Sequence, residues 1–207
     1  MSIDETASWH EELTFWIGHC MAAHGHHWKT QKKAWRLHDK KTPYSVHPIW
    51  CASMLLSEPK LDEDTRRDGF KVLLAHDTLE DTRLPLPVTA EPHVAALVKE
   101  MTFKSFDEET QELWRKPIQI KLFKLYDKVS NLLDGARWMD DQKWNRYVDH
   151  TLRLVQEVSE VEKYRDLSII KIAQTICKPR QRLSKGKRKR LPTGTTQAVQ
   201  TRKRPGQ

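Results

Sequence analysis

The segment from Lys71 to Arg83, KVLLAHDTLEDTR, constrains this chain more than any other. Val72, Leu73, Leu74 and Leu79 make it an apolar element, yet His76, Asp77, Glu80 and Asp81 crowd its end. On a helix, His76 and Glu80 lie four apart, Asp77 and Glu80 three, and Asp77 and Asp81 four. All four groups then share neighbouring parts of one face. Burying three carboxylates beside an imidazole is expensive unless something positive holds them, and a divalent metal is the usual solution. An adjacent His-Asp pair can supply two ligands to one ion, which leaves Glu80 and Asp81 free for acid-base work one turn along. A helix end with a solvated acidic cap is the alternative reading of the same residues.

Two distant segments bear on that choice. In TPYSVHPIWCASMLL, His47 stands just before a proline that can open a helix. In IQIKLFKLYDKVSNLLDG, Leu122, Leu125, Val129 and Leu132 form an apolar stripe, with Lys124, Asp127 and Asn131 along another side at spacings of three and four. His47, His76, Asp77 and Asp127 together make two imidazoles and two carboxylates. That set suits a hard or borderline ion such as Mn²⁺, Fe²⁺ or Mg²⁺. The order H…HD…D resembles the HD-domain metal phosphohydrolases. TPYSVHP, LLAHDTLEDT and KLFKLYDKVSN are similar to motifs of the (p)ppGpp hydrolase domain of RelA/SpoT-type enzymes and their small stand-alone relatives. The resemblance covers roughly Ala22 to Gly135.

The resemblance implies an all-α HD-domain helical bundle with one Mn²⁺ bound by His47, His76, Asp77 and Asp127. It makes Glu80 and Asp81 the catalytic pair that orients water and manages proton transfer. It also places Asn131 against substrate or water and Arg36 on the nucleotide, while Lys124, three residues before Asp127, can balance phosphate charge. A backbone bond for Asn131 and a solvated helix face for Lys124 are the alternative readings. The implied reaction is that of a guanosine 3′,5′-bis(diphosphate) 3′-pyrophosphohydrolase. Two departures stand against the family pattern. Leu37 replaces the Lys that often follows the Arg at position 36, and Leu133 occupies a place where an Arg is common. A phosphatase acting on nucleoside monophosphates or NADPH is therefore an alternative. A nucleic-acid-associated protein that works through its basic tail is another.

The formal net charge of +8 divides unevenly along the chain. Of 36 Lys and Arg residues, eleven lie in 178–207, which contains no acid. The 25 that remain face 28 acidic groups, so residues 1–177 form a mildly acidic body, read as one hydrolase domain. The basic segment lacks a hydrophobic period and reads as a disordered tail suited to phosphate contact with RNA or the ribosome. Cys20, Cys51 and Cys177 lie in apolar surroundings without paired spacing and read as reduced thiols. The polar start, MSIDETASWHEEL, is unlike a signal peptide, and no apolar run is long enough to span a bilayer. A cytoplasmic protein is expected.

Seven glycines and no convincing alternation of period two predict helices throughout the body. They are expected over about Thr6–His24, after Pro48, over Asp62–Leu79 with the His-Asp pair inside, and from Pro92. Further helices are expected from Ser105 through Trp114, from Pro117 to near Gly135, and from Asp140 to Ile176. Gly25–Tyr44 is expected to be a loop, with room for a short helical turn. His19, His24, His26 and His27 read as surface imidazoles, with only His24 or His26 placed to approach a nucleotide. Most of the eight Trp residues read as core or interface, with one from the 28–35 stretch a candidate to stack on a base.

Overall fold

A computed structural model of the chain describes residues 3–178. The expected disorder of the basic tail falls on 179–207, outside the described residues. Within them the fold is all-α, as expected, with nine α-helices and no strand. These are α1 (Ile3–His26), α2 (Val46–Leu56), α3 (Glu63–Ala75), α4 (Thr78–Asp81), α5 (Pro92–Met101), α6 (Phe106–Glu112), α7 (Ile118–Gly135), α8 (Asp141–Ser159) and α9 (Ser168–Ile176).

Polar caps start three of the helices. The Asp62 carboxylate accepts the Thr65 N–H at 2.7 Å, Ser105 Oγ accepts from Glu108 at 3.1 Å, and Asp140 accepts from Lys143 at 2.7 Å. Each satisfies an amide that the helix itself leaves without a partner. Ser105 and Glu108 have the spacing of a capping box, but the Glu108 carboxylate accepts from the Lys104 N–H, one residue before the cap.

Helix α7 is the axis of the core. Leu122, Leu125, Val129 and Leu132 are all buried, and α7 packs against α2, α3, α5, α8 and α9. Gly69 lets α3 approach α2 and α7 closely. A Cβ there would lie 2.7 Å from both Leu55 Cδ2 and Phe123 Cε1, closer than carbon atoms pack. The three cysteines are free and buried, as expected of small core residues.

Two expectations are corrected. The helix expected over Asp62–Leu79 ends at Ala75; His76 and Asp77 form a turn, and α4 begins at Thr78. Asp77 keeps right-handed backbone angles, φ −91° and ψ −5°, so the chain changes direction without unwinding. The stretch expected to be helical over Asp140–Ile176 divides into α8, a 3-10 turn at Glu162–Tyr164, and α9. Gly25–Tyr44 is as expected, a connecting stretch whose short helical turn is the 3-10 turn Gln31–Ala34, with α1 running on to His26. Backbone hydrogen bonds from Lys29 N to Asp81 O and from Arg83 N to His27 O, both 2.7 Å, fasten this stretch to α4.

Candidate metal centre

His47 arrives from the first turn of α2, His76 and Asp77 from the turn between α3 and α4, and Asp127 from the middle of α7. The fold brings these four together, and all are buried. His47 Nε2 lies 3.3 Å from Asp127 Oδ1 and 3.6 Å from Asp77 Oδ2. His76 Nε2 lies 3.1 Å from Asp77 Oδ2 and 3.8 Å from Asp127 Oδ1. His47, His76 and Asp127 offer ligand atoms within 4.8 Å of one another, a group able to hold a metal ion.

The far nitrogens of the two imidazoles are already occupied. His76 Nδ1 is 2.7 Å from the Leu73 carbonyl, which can only accept, so Nδ1 carries a proton and points Nε2 into the cluster. His47 Nδ1 meets Ser130 Oγ at 2.8 Å. Both Nε2 atoms are buried without a hydrogen-bond partner. Orphaned buried nitrogens facing two carboxylates are what a cation-binding donor set requires, and the residues fit a divalent ion.

The electrostatics agree. Burial works against charge on His76, but Asp77 and then Asp127 outweigh it and raise its pKa to about 9. Burial also opposes charge on both aspartates. The imidazoles hold Asp77 well below the usual carboxylate range, and Lys128 and Lys124 do the same for Asp127. A proton on His76 thus supplies the positive charge that a metal would otherwise bring.

Glu80 and Asp81, one turn on, point to different partners. Glu80 accepts the Phe103 N–H at 2.9 Å, and burial followed by the nearby Asp77 charge pushes its carboxyl up to about 7. Asp81 is raised by the same causes but pairs with Lys33 at 2.6 Å. Of the two carboxyls, Glu80 is the one without an ion-pair partner among the described residues and with a value raised toward neutrality.

Arg36, Lys124 and Asn131 line a cavity of about 440 Å³ that also opens on Asp77, Glu80 and Asp127. Asn131 donates to Asp127 Oδ1 at 2.6 Å. Arg36 is buried and engaged, with Asp134 at 2.7 Å, Asn131 at 3.3 Å and the Tyr44 ring beneath its guanidinium. Leu37 faces the same cavity, and so does Trp35 of the 28–35 stretch. His24, expected at the surface, is buried with its ring 5.0 Å from Tyr44.

Sequence reasoning missed the support behind α7. Lys128 is buried beside Lys124, 3.1 Å from Asp127, and both ammonium groups meet Glu109 of α6, at 2.7 and 3.2 Å. His150 of α8 lies 3.0 Å behind Glu109. Burial alone would raise the Glu109 carboxyl, but Lys124 and Lys128 outweigh it and hold it at about 2. Tyr44, donating to Asp77 at 2.8 Å, was also missed. Lys128 had a visible signal, four residues after Lys124 on one helix face. Glu109 had none, because the run FDEETQE reads as a solvated surface. Glu109→Gln should cost about 3–5 kcal/mol, the usual penalty for stranding buried charge. Urea denaturation measures it, and an unchanged midpoint would mean that the two lysines find other partners.

No family model matches the chain, and no curated protein matches its sequence. Among solved structures it is similar to a metazoan ortholog of SpoT that hydrolyzes ppGpp and plays a role in starvation responses. The TM-score is 0.59 at 19% identity, covering 79% of this chain and 92% of that one. The chain shares the fold of that hydrolase.

Proposed function

We propose that the chain is a metal-dependent hydrolase of a phosphorylated nucleotide, with removal of the 3′-pyrophosphate of (p)ppGpp as its reaction. The observation that carries this reading is the convergence of His47, His76, Asp77 and Asp127, whose two imidazole Nε2 atoms face the aspartate oxygens without a well-formed hydrogen bond. The four side chains would hold one divalent ion, Mn²⁺ by preference, with Fe²⁺ or Mg²⁺ also suited to the donor set. Such an ion makes water nucleophilic at neutral pH and neutralises phosphate charge. Glu80 takes the proton of the attacking water, and Asp81, held by Lys33, orients it. Lys124 and Lys128, kept charged by Glu109, face phosphate oxygens, while Asn131 fixes Asp127. The ppGpp chemistry of the structural neighbour supports the same substrate class.

One observation favours a second substrate. Arg36 spends its hydrogen bonds on Asp134 and Asn131, and Leu37 adds no charge, so guanosine tetraphosphate has little cationic help on that side of the cavity. NADPH or a nucleoside monophosphate would need less. Mn²⁺-loaded protein offered ppGpp, NADPH and nucleoside monophosphates in parallel should release pyrophosphate from ppGpp fastest. Turnover of only a monophosphate ester would replace the leading substrate. Inactivity on all three would remove the hydrolase reading.

The eleven cations of residues 178–207 suit RNA or ribosome contact by counterion release. Deleting 178–207 should abolish salt-sensitive RNA binding and leave nucleotide hydrolysis unchanged. Equal RNA binding by the shortened chain, measured by filter retention across a salt series, would dismiss that role. A cytoplasmic setting accords with this chemistry. No helix among the described residues is long and apolar enough to cross a membrane.

A further inference from the structure

A second cavity, of about 700 Å³, lies beside the first. Lys33, Glu80, Asp81, Phe103 and Lys104 face both, so the Glu80–Phe103 hydrogen bond forms a sill between them. Beyond the sill, Lys29 and Lys99 also line the second cavity. Some of this basic character has a local explanation. Lys29 Nζ donates to the Leu79 and Glu80 carbonyls at 2.7 and 3.0 Å, capping the end of α4. Thr102 caps α5 in the same way, its N–H on Lys99 O and its hydroxyl on Val98 O. The Glu108 carboxylate, on the rim, accepts from the Lys104 backbone.

With those carbonyls and that carboxylate occupied, the ammonium groups of Lys99 and Lys104 have no acidic partner among the described residues. Both side chains are exposed. Two unpaired cations converge on a cavity whose inner wall is the candidate catalytic pair. A solvated face would spread such charges apart, and a neutral ligand would leave them unused.

We propose that the second cavity is a subsite for a diphosphate group, held by Lys99 and Lys104 with help from Lys33. The group can be free inorganic pyrophosphate or the terminal diphosphate of a pyrophosphorylated nucleotide whose nucleoside is seated in the first cavity. The latter rests on the proposed function and deepens it. A nucleotide ester long enough to cross the sill gains two ammonium contacts, and a monophosphate ester gains neither. The cavity therefore discriminates pyrophosphorylated from monophosphorylated substrates.

Calorimetric titration of the EDTA-treated full chain with inorganic pyrophosphate and with inorganic phosphate tests the subsite without metal chelation. Pyrophosphate should bind at least about tenfold more tightly than phosphate. The double variant Lys99→Ala/Lys104→Ala should lose about tenfold or more of that affinity, the scale of one or two charge-assisted hydrogen bonds. Lys163→Ala, which changes an exposed lysine paired with Asp62, is the control and should bind as the parent does. The basic tail is common to all these proteins and cancels in the comparison. Equal pyrophosphate affinity in the double variant and the parent overturns the proposal, as does equal affinity for phosphate and pyrophosphate. With Mn²⁺ present, the double variant should lose about tenfold in kcat/KM on ppGpp and nothing on a nucleoside 3′-monophosphate. Lysine-dependent pyrophosphate binding in a chain that hydrolyses no nucleotide upholds the subsite and overturns the proposed function instead.

Discussion

Asp77→Ala will abolish divalent-metal binding, and with it hydrolysis, while leaving the helical fold in place. Asp77 is the better of the two aspartates to remove. Asp127 also balances Lys124 and Lys128, so its loss would strand two buried cations and confuse unfolding with demetallation. Asp77 sits in a turn, and its side chain meets Tyr44, His47 and His76. Taking it away leaves two neutral imidazoles and one carboxylate, a donor set with half the anionic charge. Outer partners of metal ligands cost 10–100-fold in affinity when lost, so a ligand should cost more than about 100-fold. Metal content by atomic absorption and helicity by circular dichroism check both halves. A variant that stays fully loaded would dismiss Asp77 as a ligand.

The same substitution has a readout in the metal-free protein. Asp77 is the main cause raising His76 from 6.5 to about 9. A histidine whose folded pKa is raised contributes stability that is complete below its unfolded value and is lost as pH rises through the folded one. The metal-free parent should therefore lose stability between about pH 6.5 and 9, and Asp77→Ala should flatten that slope. Thermal melts across this range in EDTA would show it, and parallel slopes in the two proteins would contradict it. Metal binding should release the His76 proton, so affinity for the ion rises with pH over the same window.

What the sequence displays in advance follows from the range of the forces involved. Apolar spacing is a local signal, so α7, with Leu122, Leu125, Val129 and Leu132 buried as expected, is legible without a structure. Histidines and aspartates in apolar surroundings are legible for a different reason. Their burial is so expensive that it announces a partner, which is why three separated segments pointed to one centre. The break at His76–Asp77 was hidden because neither glycine nor proline marks it. It arises where tertiary contacts turn the two side chains toward α2 and α7. Glu109 and His150 were hidden because their partners are 19 and 41 residues away from them, Lys128 for the one and Glu109 for the other. Nothing in either residue's neighbourhood records that pairing. The split of the last helical stretch at Glu160–Leu167 likewise depends on α9 returning to pack on α7 and α8.

Glu80→Gln should keep the metal and lower kcat by about 10² or more, the usual scale for a positioned acid-base group. The amide preserves shape and can still accept the Phe103 N–H through its oxygen, so the sill between the two cavities stays in place. What it loses is the capacity to take a proton. Tyr44, Lys33 and Lys124 cannot replace it, because their own protons are held by Asp77, Asp81 and the Glu109–Asp127 pair. A merely structural Glu80 would behave differently. Burial and the Asp77 charge raise its carboxyl to about 7, so the ionised form is a cost to the folded metal-free protein. Its contribution to stability is complete below about pH 4.5 and is lost as pH rises through about 7. Replacing it with an uncharged amide should therefore raise the melting temperature of metal-free protein at pH 8 even as activity collapses. Gain of stability with loss of turnover marks a group kept strained for chemistry. Unchanged kcat in a fully loaded variant would remove Glu80 from the mechanism, and the proton would then have to pass to Asp81, at the expense of its 2.6 Å pair with Lys33.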